Sequence, residues 1–531
     1  MASDPGGTGG AGTPLAGSAG TAGAAGDPQA GGTAGTSADA GEGGQAGDGG
    51  RTAPGDLLRT GRAAVSQQPR PEFAGLLVAN DGERSYVVES RRDVEPGVFG
   101  LPWRTRFRLA AYDAGVEAWA YAADPDDVIG DLVIHPSGEI TLSVQHQAAE
   151  RLAYELVRLS PSGAVVASAQ LSESPNIPQS DYAATDPRPL FRMKADVGDA
   201  TTAGWVRLLA DGEGLVVAFL SFIDLQPSRK LALGLATFDW QSGAYVERWA
   251  RVVEGTHSAE PSGWAYDEFR WLEQAIRPFL ARDDSSGELL VGRAWNSTRC
   301  QANQRTFAEF TAQDCLFGAV PPGDNERLPL AVTRFDASGA RLGTRILRPD
   351  EDAAEQLAFA LAARGGQLAV VGSVVRTLPD GSKRTYPDAN GYVDYDGYIA
   401  VYDADGALLR SHDFNLGRGD VLAGMRWTAD GILAVGAAGW DRWQGGMSIT
   451  RGSDPLFVWL SADGSDSAER VVSVSDHTRH FNLHDLVLKR DAIVAVGFAD
   501  APMTHSADAA QGDNTPARTF GPLRIQLGSL E

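Results

Sequence analysis

VLAGMRWTADGILAVGAAG (421–439) and PLFVWLSADGSDSAERVVSV (455–474) repeat one device: an apolar run, an Ala-Asp-Gly turn and a second apolar run. Glycine accepts the positive φ of a tight turn, so each stretch predicts a β-hairpin and the two together a four-stranded sheet. The same unit is legible just upstream, as QLAFALAA (356–363), RGG, QLAVVGSV, then GYIAVYD (397–403), ADG and ALLRSHDF.

The second strand of this unit recurs seven times. The copies begin at Arg84 (RSYVVES), Glu139 (EITLSVQH), Gly214 (GLVVAFLS), Glu288 (ELLVGRAW), Gln367 (QLAVVGSV), Ile432 (ILAVGAAG) and Ala492 (AIVAVGFA). Apolar runs without alternation predict strands covered on both faces. Small residues in the sixth copy (Ala434, Gly436, Ala437, Ala438) suit close approach of neighbouring sheets. The remaining units cover about 73–123, 127–171, 204–254, 276–348 and 482–528. The last shows three strands, ending at PLRIQLG (522–528), and Gly61–Ser66 is the segment expected to supply its fourth. Sheets repeated at this spacing predict an all-β chain, a seven-bladed β-propeller over 56–531, with eight blades or a pair of sandwiches as alternatives. Closing the ring with a strand from the other terminus removes an open edge.

Residues 1–55 are read as a disordered low-complexity tether: the first fifty contain no Lys or Arg and are mostly Gly, Ala, Thr and Ser, with almost nothing to bury. The chain carries 46 basic and 69 acidic residues, a net charge of −23. That balance argues against nucleic acid and against anionic membrane surfaces as partners. No apolar stretch is long enough for a transmembrane helix. Cys300 and Cys315 bracket fourteen residues of a polar insertion; a disulfide there is preferred over two reduced thiols, and would contribute about 2–3 kcal/mol.

Two resemblances follow from these residues. The segment 396–440, with its strand ending in D-x-D-G, its Gly-Asp step and its strand–DG–strand pair, resembles the repeats of bacterial extracellular seven-bladed propellers of the SBBP and delta-60 type. The likeness covers about two blades; it implies a secreted or surface protein and carries over no catalytic residue. A Gly/Ala/Thr tether before a β-rich domain resembles the mature part of myxobacterial surface lipoproteins. That resemblance implies an outer-membrane or extracellular location and a lipid anchor on a cysteine ahead of the tether, a cysteine this sequence lacks.

The turns joining strands 1–2 and 3–4 are short. The 2–3 connections are long at 91–104, 295–328, 376–395, 439–454 and 499–519, as are the blade links 172–203 and 255–275. In a four-stranded blade these long connections all lie on one face, where binding residues concentrate. They carry Trp103, Tyr182, Phe191, Arg192, Trp264, Tyr266, Trp271, Tyr386, Tyr392, Trp440 and Trp443, with Arg299, Arg305 and Arg442. Aromatic rings beside arginines suit sugar stacking, peptide capture or a protein surface, against the plainer reading that they pin the loops to one another. Asp388, Asn390, Asp394 and Asp396 offer oxygen donors at near-alternate positions, as calcium loops do, but without the distal Glu of an EF-hand. His477, His480 and His484 would share a helix face, although the repeat places them on a link entering the first strand of the seventh unit. No cofactor is required, calcium being the candidate; there is no nucleophile elbow, phosphate-binding loop or dinucleotide fingerprint. The expectation is a secreted or cell-surface propeller binding a glycan, peptide or envelope protein through its long-loop face. The alternative is an extracellular hydrolase or lyase at the channel mouth on that face.

Overall fold

The computed structural model describes residues 52–67, 74–94, 103–124, 127–148, 151–170, 206–225, 228–257, 278–294, 330–347, 350, 352–382, 394–416, 419–439, 453–473, 480–500 and 520–528. The chain enters through a short helix, α1 (Pro54–Thr60), and a strand, β1 (Arg62–Gln67). Blade 1 then holds β2 (Ala74–Asn80), β3 (Arg84–Val94), β4 (Trp103–Asp113) and β5 (Val116–Ala122). Blade 2 holds β6 (Val128–Ile134), β7 (Ile140–Ala148), β8 (Arg151–Leu159) and β9 (Val165–Gln170). Blade 3 has β10 (Val206–Asp211), β11 (Gly214–Leu225), β12 (Ser228–Gln241) and β13 (Ala244–His257); blade 4 has β14 (Phe279–Arg282), β15 (Leu289–Ala294), β16 (Leu330–Phe335) and β17 (Arg341–Leu347). Blade 5 has β18 (Ala353–Arg364), β19 (Gln367–Arg376), β20 (Asp396–Tyr402) and β21 (Leu408–Phe414). Blade 6 has β22 (Val421–Trp427), β23 (Gly431–Ala438), β24 (Asp454–Ser461) and β25 (Ser467–Val471). Blade 7 holds β26 (His480–Lys489), β27 (Ala492–Asp500) and β28 (Phe520–Gly528), with β1 as its outermost strand.

The result is seven antiparallel four-stranded sheets, a seven-bladed β-propeller. The innermost strands β2, β6, β10, β14, β18, β22 and β26 are neighbours in that order, and β26 meets β2, so the ring closes. Closure within blade 7 is by hydrogen bonding: β1 pairs antiparallel with β28, from Arg62 opposite Gly528 to Gln67 opposite Leu523. All seven apolar runs are second strands. Their apolar stretches do not alternate with polar residues because successive side chains enter different cores. On β19, Leu368, Val370 and Val374 pack in the layer shared with blade 4, while Ala369 and Val371 pack in the layer shared with blade 6.

Gly436 has a different role from the one the sequence suggests. A Cβ there would collide with the Val421 carbonyl of its own sheet, beside an irregularity where β22 slips register between Leu422 and Gly424. It is needed within the blade; Ala434, by contrast, does pack in the layer between blades 5 and 6.

A second order lies on the outermost strands. Trp119 on β5 donates its indole N–H to the Pro161 carbonyl in the 3–4 turn of blade 2 (2.9 Å). Trp249 on β13 does the same to Ala337 in blade 4 (3.1 Å). Arg410 on β21 donates to Ala462 in blade 6 (2.5 Å), and Ser66 on β1 to Ala114 in blade 1 (3.3 Å). Each donor lies against the glycine of that same turn: Gly163, Gly339, Gly464 and Gly115. These glycines are needed twice, for φ values of +75° to +90° and for the contact surface.

Helix α1, which the sequence reading does not foresee, takes the place of the missing turn of blade 7. Pro54 sits at its first turn, and Leu57 and Leu58 are buried in the layer between blades 6 and 7. Gly55 rests on the Trp459 ring, Arg59 Nη2 donates to the Asp466 carboxylate at 2.7 and 2.8 Å, and Arg470 donates to the carbonyls of Leu58 and Gly61 (3.0 and 2.6 Å). Pro54 and Gly55 are thus buried structure, whereas residues 1–51 of the expected tether lie outside the described residues. No helix among the described residues is long and apolar enough to cross a membrane.

Two outcomes follow. Deleting residues 1–51 is expected to leave the melting temperature unchanged, while deleting 1–67 opens the β28 edge and lowers it by about ten degrees or more, as calorimetry of both truncations would show. Gly339→Ala places a Cβ 2.5 Å from the Trp249 ring and is expected to cost about 1–3 kcal/mol, whereas Gly287→Ala, with a similar φ of +71° and nothing within 4 Å, loses less. Equal losses in urea unfolding would remove the turn glycine's packing role.

Candidate functional site at the long-connection end of the ring

The 1–2 and 3–4 turns, such as 114–115, 212–213, 365–366 and 490–491, occupy one face. The long segments leave and re-enter at the other: between β3 and β4, β15 and β16, β19 and β20, β23 and β24, and β27 and β28, and along the links before β10 and β14. Blades 1 to 3 build this face differently from the rest. β10 pairs with β11 only as far as Val206 opposite Phe219, yet β11 and β12 remain paired to Leu225 opposite Ser228, so blade 3 overhangs its own inner strand. β7 and β8 likewise run on to Ala148 opposite Arg151, beyond the last β6 pairing at Gln145.

Of the residues the sequence singles out, few are placed by the described structure. Trp103 opens β4, opposite Val94, at the long-connection end. Tyr182, Phe191, Arg192, Trp264, Tyr266, Trp271, Arg299, Arg305, Tyr386, Tyr392, Trp440, Arg442 and Trp443 lie outside the described residues, as do Asp388, Asn390, His477, Cys300 and Cys315. His480 and His484 fall on β26, a strand, so the helical-face arrangement does not form. Asp394 and Asp396 are buried at the entry to β20, part of the wall of blade 5. Among the described residues no three His, Cys, Asp or Glu side chains are grouped to hold a metal ion.

What the structure adds at this end is Asp420, which precedes β22. Its carboxylate accepts the backbone N–H of Leu416 (2.8 Å) and of Gly439 (3.1 Å). Its own N–H donates to the Tyr395 carbonyl (2.6 Å), and its carbonyl accepts from Ser373 Oγ (3.0 Å). One buried residue therefore anchors the blade 5–6 link, the root of the 440–452 segment and the re-entry of 394–396. Burial pushes its carboxyl up to about 7; the two backbone N–H groups oppose that rise, while Asp394 and Glu469 add to it. The signal for it in the sequence was the Gly419-Asp420 step within the repeat.

Charge also lines the ring itself. Asp131 on β6 accepts the Leu208 N–H (2.8 Å) and stands 3.7 Å from Arg207 Nη1; Asp485 on β26 accepts the Asn80 N–H (3.0 Å) and meets Arg426 Nη2 at 2.9 Å. On the short-turn face, between blades 2 and 3, His135 lies buried with Nε2 2.7 Å from Thr141 Oγ1 and Nδ1 3.2 Å from the Gly212 carbonyl. Burial first, then Arg158, pushes this imidazole down to about 4. Arg158 is itself sealed between Glu139, Glu213 and the Trp240 ring, 4.1 Å from the ring centroid. This group ties blades together and offers no access to a substrate.

No protein-family model matches this chain, and no curated protein is a detectable relative. Of what the likeness of 396–440 to SBBP and delta-60 repeats implies, the seven-bladed fold is present, and no family match supports the specific assignment. Similar solved structures include polysaccharide lyase Uly1, 9% identical over 86% of this chain and 90% of that one, with a TM-score of 0.40. The α-L-arabinofuranosidase Arb93A of Fusarium graminearum is 10% identical over 75% and 93% (TM-score 0.38). The β-propeller domain of the Trilobed protease of Pyrococcus furiosus, which has an open velcro topology, is 7% identical over 86% and 96% (TM-score 0.38). Here β1 pairs with β28.

A raised carboxyl pKa means that the native state holds the Asp420 proton more tightly than the unfolded chain. Its stabilisation is complete below the unfolded value near 3.9 and is lost as pH rises toward 7. The stability of Asp420→Asn relative to the natural chain is therefore expected to improve between pH 4 and pH 8 by up to about 4 kcal/mol. Denaturant unfolding at both pH values checks this; a difference independent of pH would exclude a native carboxyl that titrates near 7.

Proposed function

We propose that this chain is a secreted or cell-surface propeller that binds a glycan through its long-connection face, with residues 1–51 as a flexible tether to the cell envelope. The observation that carries the reading is the asymmetry of the disc. One face is made of turns tied from blade to blade, and nearly all sequence not spent on strands leaves from the other. A rigid ring that spends its variable chain on one face is built to present that face. The aromatic and arginine residues of those segments, Trp440, Trp443 and Arg442 among them, have the chemistry of sugar stacking and hydroxyl recognition. A peptide or an envelope protein is recognised by related chemistry and is the next partner to try. Calcium held by Asp388, Asn390, Asp394 and Asp396 remains a candidate support for one rim segment.

An extracellular hydrolase or lyase is the second reading, and one observation favours it. A carboxyl near 7 beside a second carboxylate, as Asp420 lies near Asp394, is what a general acid requires. Against it, Asp420 is buried, with both oxygens held by backbone N–H groups, which suits an anchor better than a proton donor.

Glycan arrays probed with the full chain, followed by titration calorimetry of the best binder, test the proposal. Trp440→Ala/Trp443→Ala is expected to weaken that binding at least tenfold with an unchanged melting temperature. Absence of glycan binding together with turnover of a polysaccharide, abolished in Asp420→Asn, would replace this reading with the enzymatic one.

A further inference from the structure

Two seams of the ring follow one plan and differ by an acid. Between blades 2 and 3, Glu139 just before β7 holds Arg158, which stands on β8 opposite Thr141. Arg158 then reaches the 1–2 turn of blade 3, giving Nη1 to the Glu213 carbonyl (2.6 Å) and Nη2 to the Glu213 carboxylate. Between blades 4 and 5 the same places hold Glu288 and Arg334, the latter on β16 opposite Leu290, joined at 2.7 and 2.6 Å. Gly366, second after Arg364 in its turn, takes the position of Glu213, second after Asp211. The guanidinium that reaches this turn is another one, Arg345 of β17, whose Nη1 donates to the Gly366 carbonyl (3.2 Å).

Arg345 is only 7% exposed, and among the described residues this is its one hydrogen bond. Its Nε is sealed without an acceptor, and no described carboxylate forms an ion pair with it. A guanidinium taken out of water without a counterion is costly; burial, with Arg334 adding to it, holds its pKa below the ordinary arginine value. Three carboxylates are near enough to oppose that shift, yet none meets it. Glu288 is bound to Arg334, Asp283 to Ser285 and the Gly366 N–H (2.8 Å), and Asp405 is exposed on the 3–4 turn of blade 5.

We propose that the crevice between Arg345 and Gly366 binds one external carboxylate, seated where Glu213 places its own in the sister seam. The room exists: a Cβ on Gly365 or Gly366 would meet nothing within 4 Å, and Gly365 is exposed, so the crevice opens on the short-turn face. Gly343, opposite Arg334 and two residues from Arg345 on the same face of the sheet, leaves open space too. Charge points the same way. With His135 neutral, one guanidinium, Arg158, is set among two carboxylates, Glu139 and Glu213; two guanidinium groups, Arg334 and Arg345, are set among two, Glu288 and Asp283. One added anion gives the second seam the balance of the first. The planar fork of Arg345, with most of its five N–H donors unused, matches a carboxylate, and its half-sealed setting strengthens charge-assisted hydrogen bonds. The carboxylate is that of a small free acid or of an acidic side chain on a partner polypeptide.

Titration calorimetry of the full chain with sodium acetate, with N-acetyl-L-glutamate N-methylamide and with its glutamine counterpart, at constant ionic strength, tests this. At least one of the two acids is expected to bind saturably while the glutamine compound does not. Acetate binding as tightly as the blocked glutamate identifies a small free acid; blocked glutamate binding at least tenfold more tightly identifies an acidic side chain. Arg345→Met keeps the bulk, leaves no buried carboxylate unpaired, and is expected to fold and to lose the binding. A second measurement needs no ligand. Gly366→Glu and Gly366→Gln carry the same backbone strain, so a higher urea midpoint for Gly366→Glu, absent when Arg345→Met is added to both, reads the missing carboxylate alone. The proposal is overturned if neither acid binds, if Arg345→Met, folded by circular dichroism, binds as tightly as the natural chain, or if Gly366→Glu is no more stable than Gly366→Gln.

Discussion

The second strand of every blade lies between two cores, and the architecture follows from that. A sheet with one wet face can stand at the end of a stack; a sheet whose middle strand needs cover on both sides cannot. With Leu433 and Val435 of β23 packed toward blade 7, and Ile432 and Ala434 toward blade 5, blade 6 is complete only between two neighbours. The same holds around the ring, so a linear array would leave two apolar faces open, and closure is the arrangement that leaves none. The right-handed twist of each sheet sets the angle at which the next one packs and lets seven come full circle.

Polar ties refine this apolar stack. Trp119, Trp249, Arg410 and Ser66 each reach forward from an outer strand to the turn of the following blade, and Arg470 does so to the end of α1. Between blades 2 and 3 the sealed Arg158 does comparable work, and its partners Glu139, Glu213 and Trp240 sit at the same face. Among the described residues, these ties from blade to blade gather at the short-turn face. The opposite face is free to vary in length without disturbing the register of the ring.

Much of this was legible in the sequence, for a physical reason. Hairpin turns and doubly buried strands are local patterns, and ILAVGAAG or QLAVVGSV displays its two-sided burial without reference to any partner. The three-stranded remainder at 482–528 pointed to 61–66 through simple strand arithmetic. What was not legible depends on contacts distant in the chain. PGDLLRT is a single helical turn or two whose apolar Leu57 and Leu58 have meaning only against Phe457 and Leu486. Trp119 reads as an aromatic on an edge strand until Gly163 is placed beneath it. Composition does not reveal depth, so the burial of Asp394 and Asp396 at the entry to β20 was not legible, and Asp420 shows its role only when four chain segments are brought to it.

The pairing of Arg62 with Gly528 joins the first strand of the ring to its last. During synthesis, blades 1 to 6 can collapse one upon another as they leave the ribosome, but α1 and β1 must wait, unpaired, for β28. The nascent protein is therefore an open arc with an exposed apolar flank at each end, and its final closure is an entropically expensive long-range step. A chain exported before folding would meet that step outside the cell, where the arrival of β28 decides whether the ring locks or the arc associates with another.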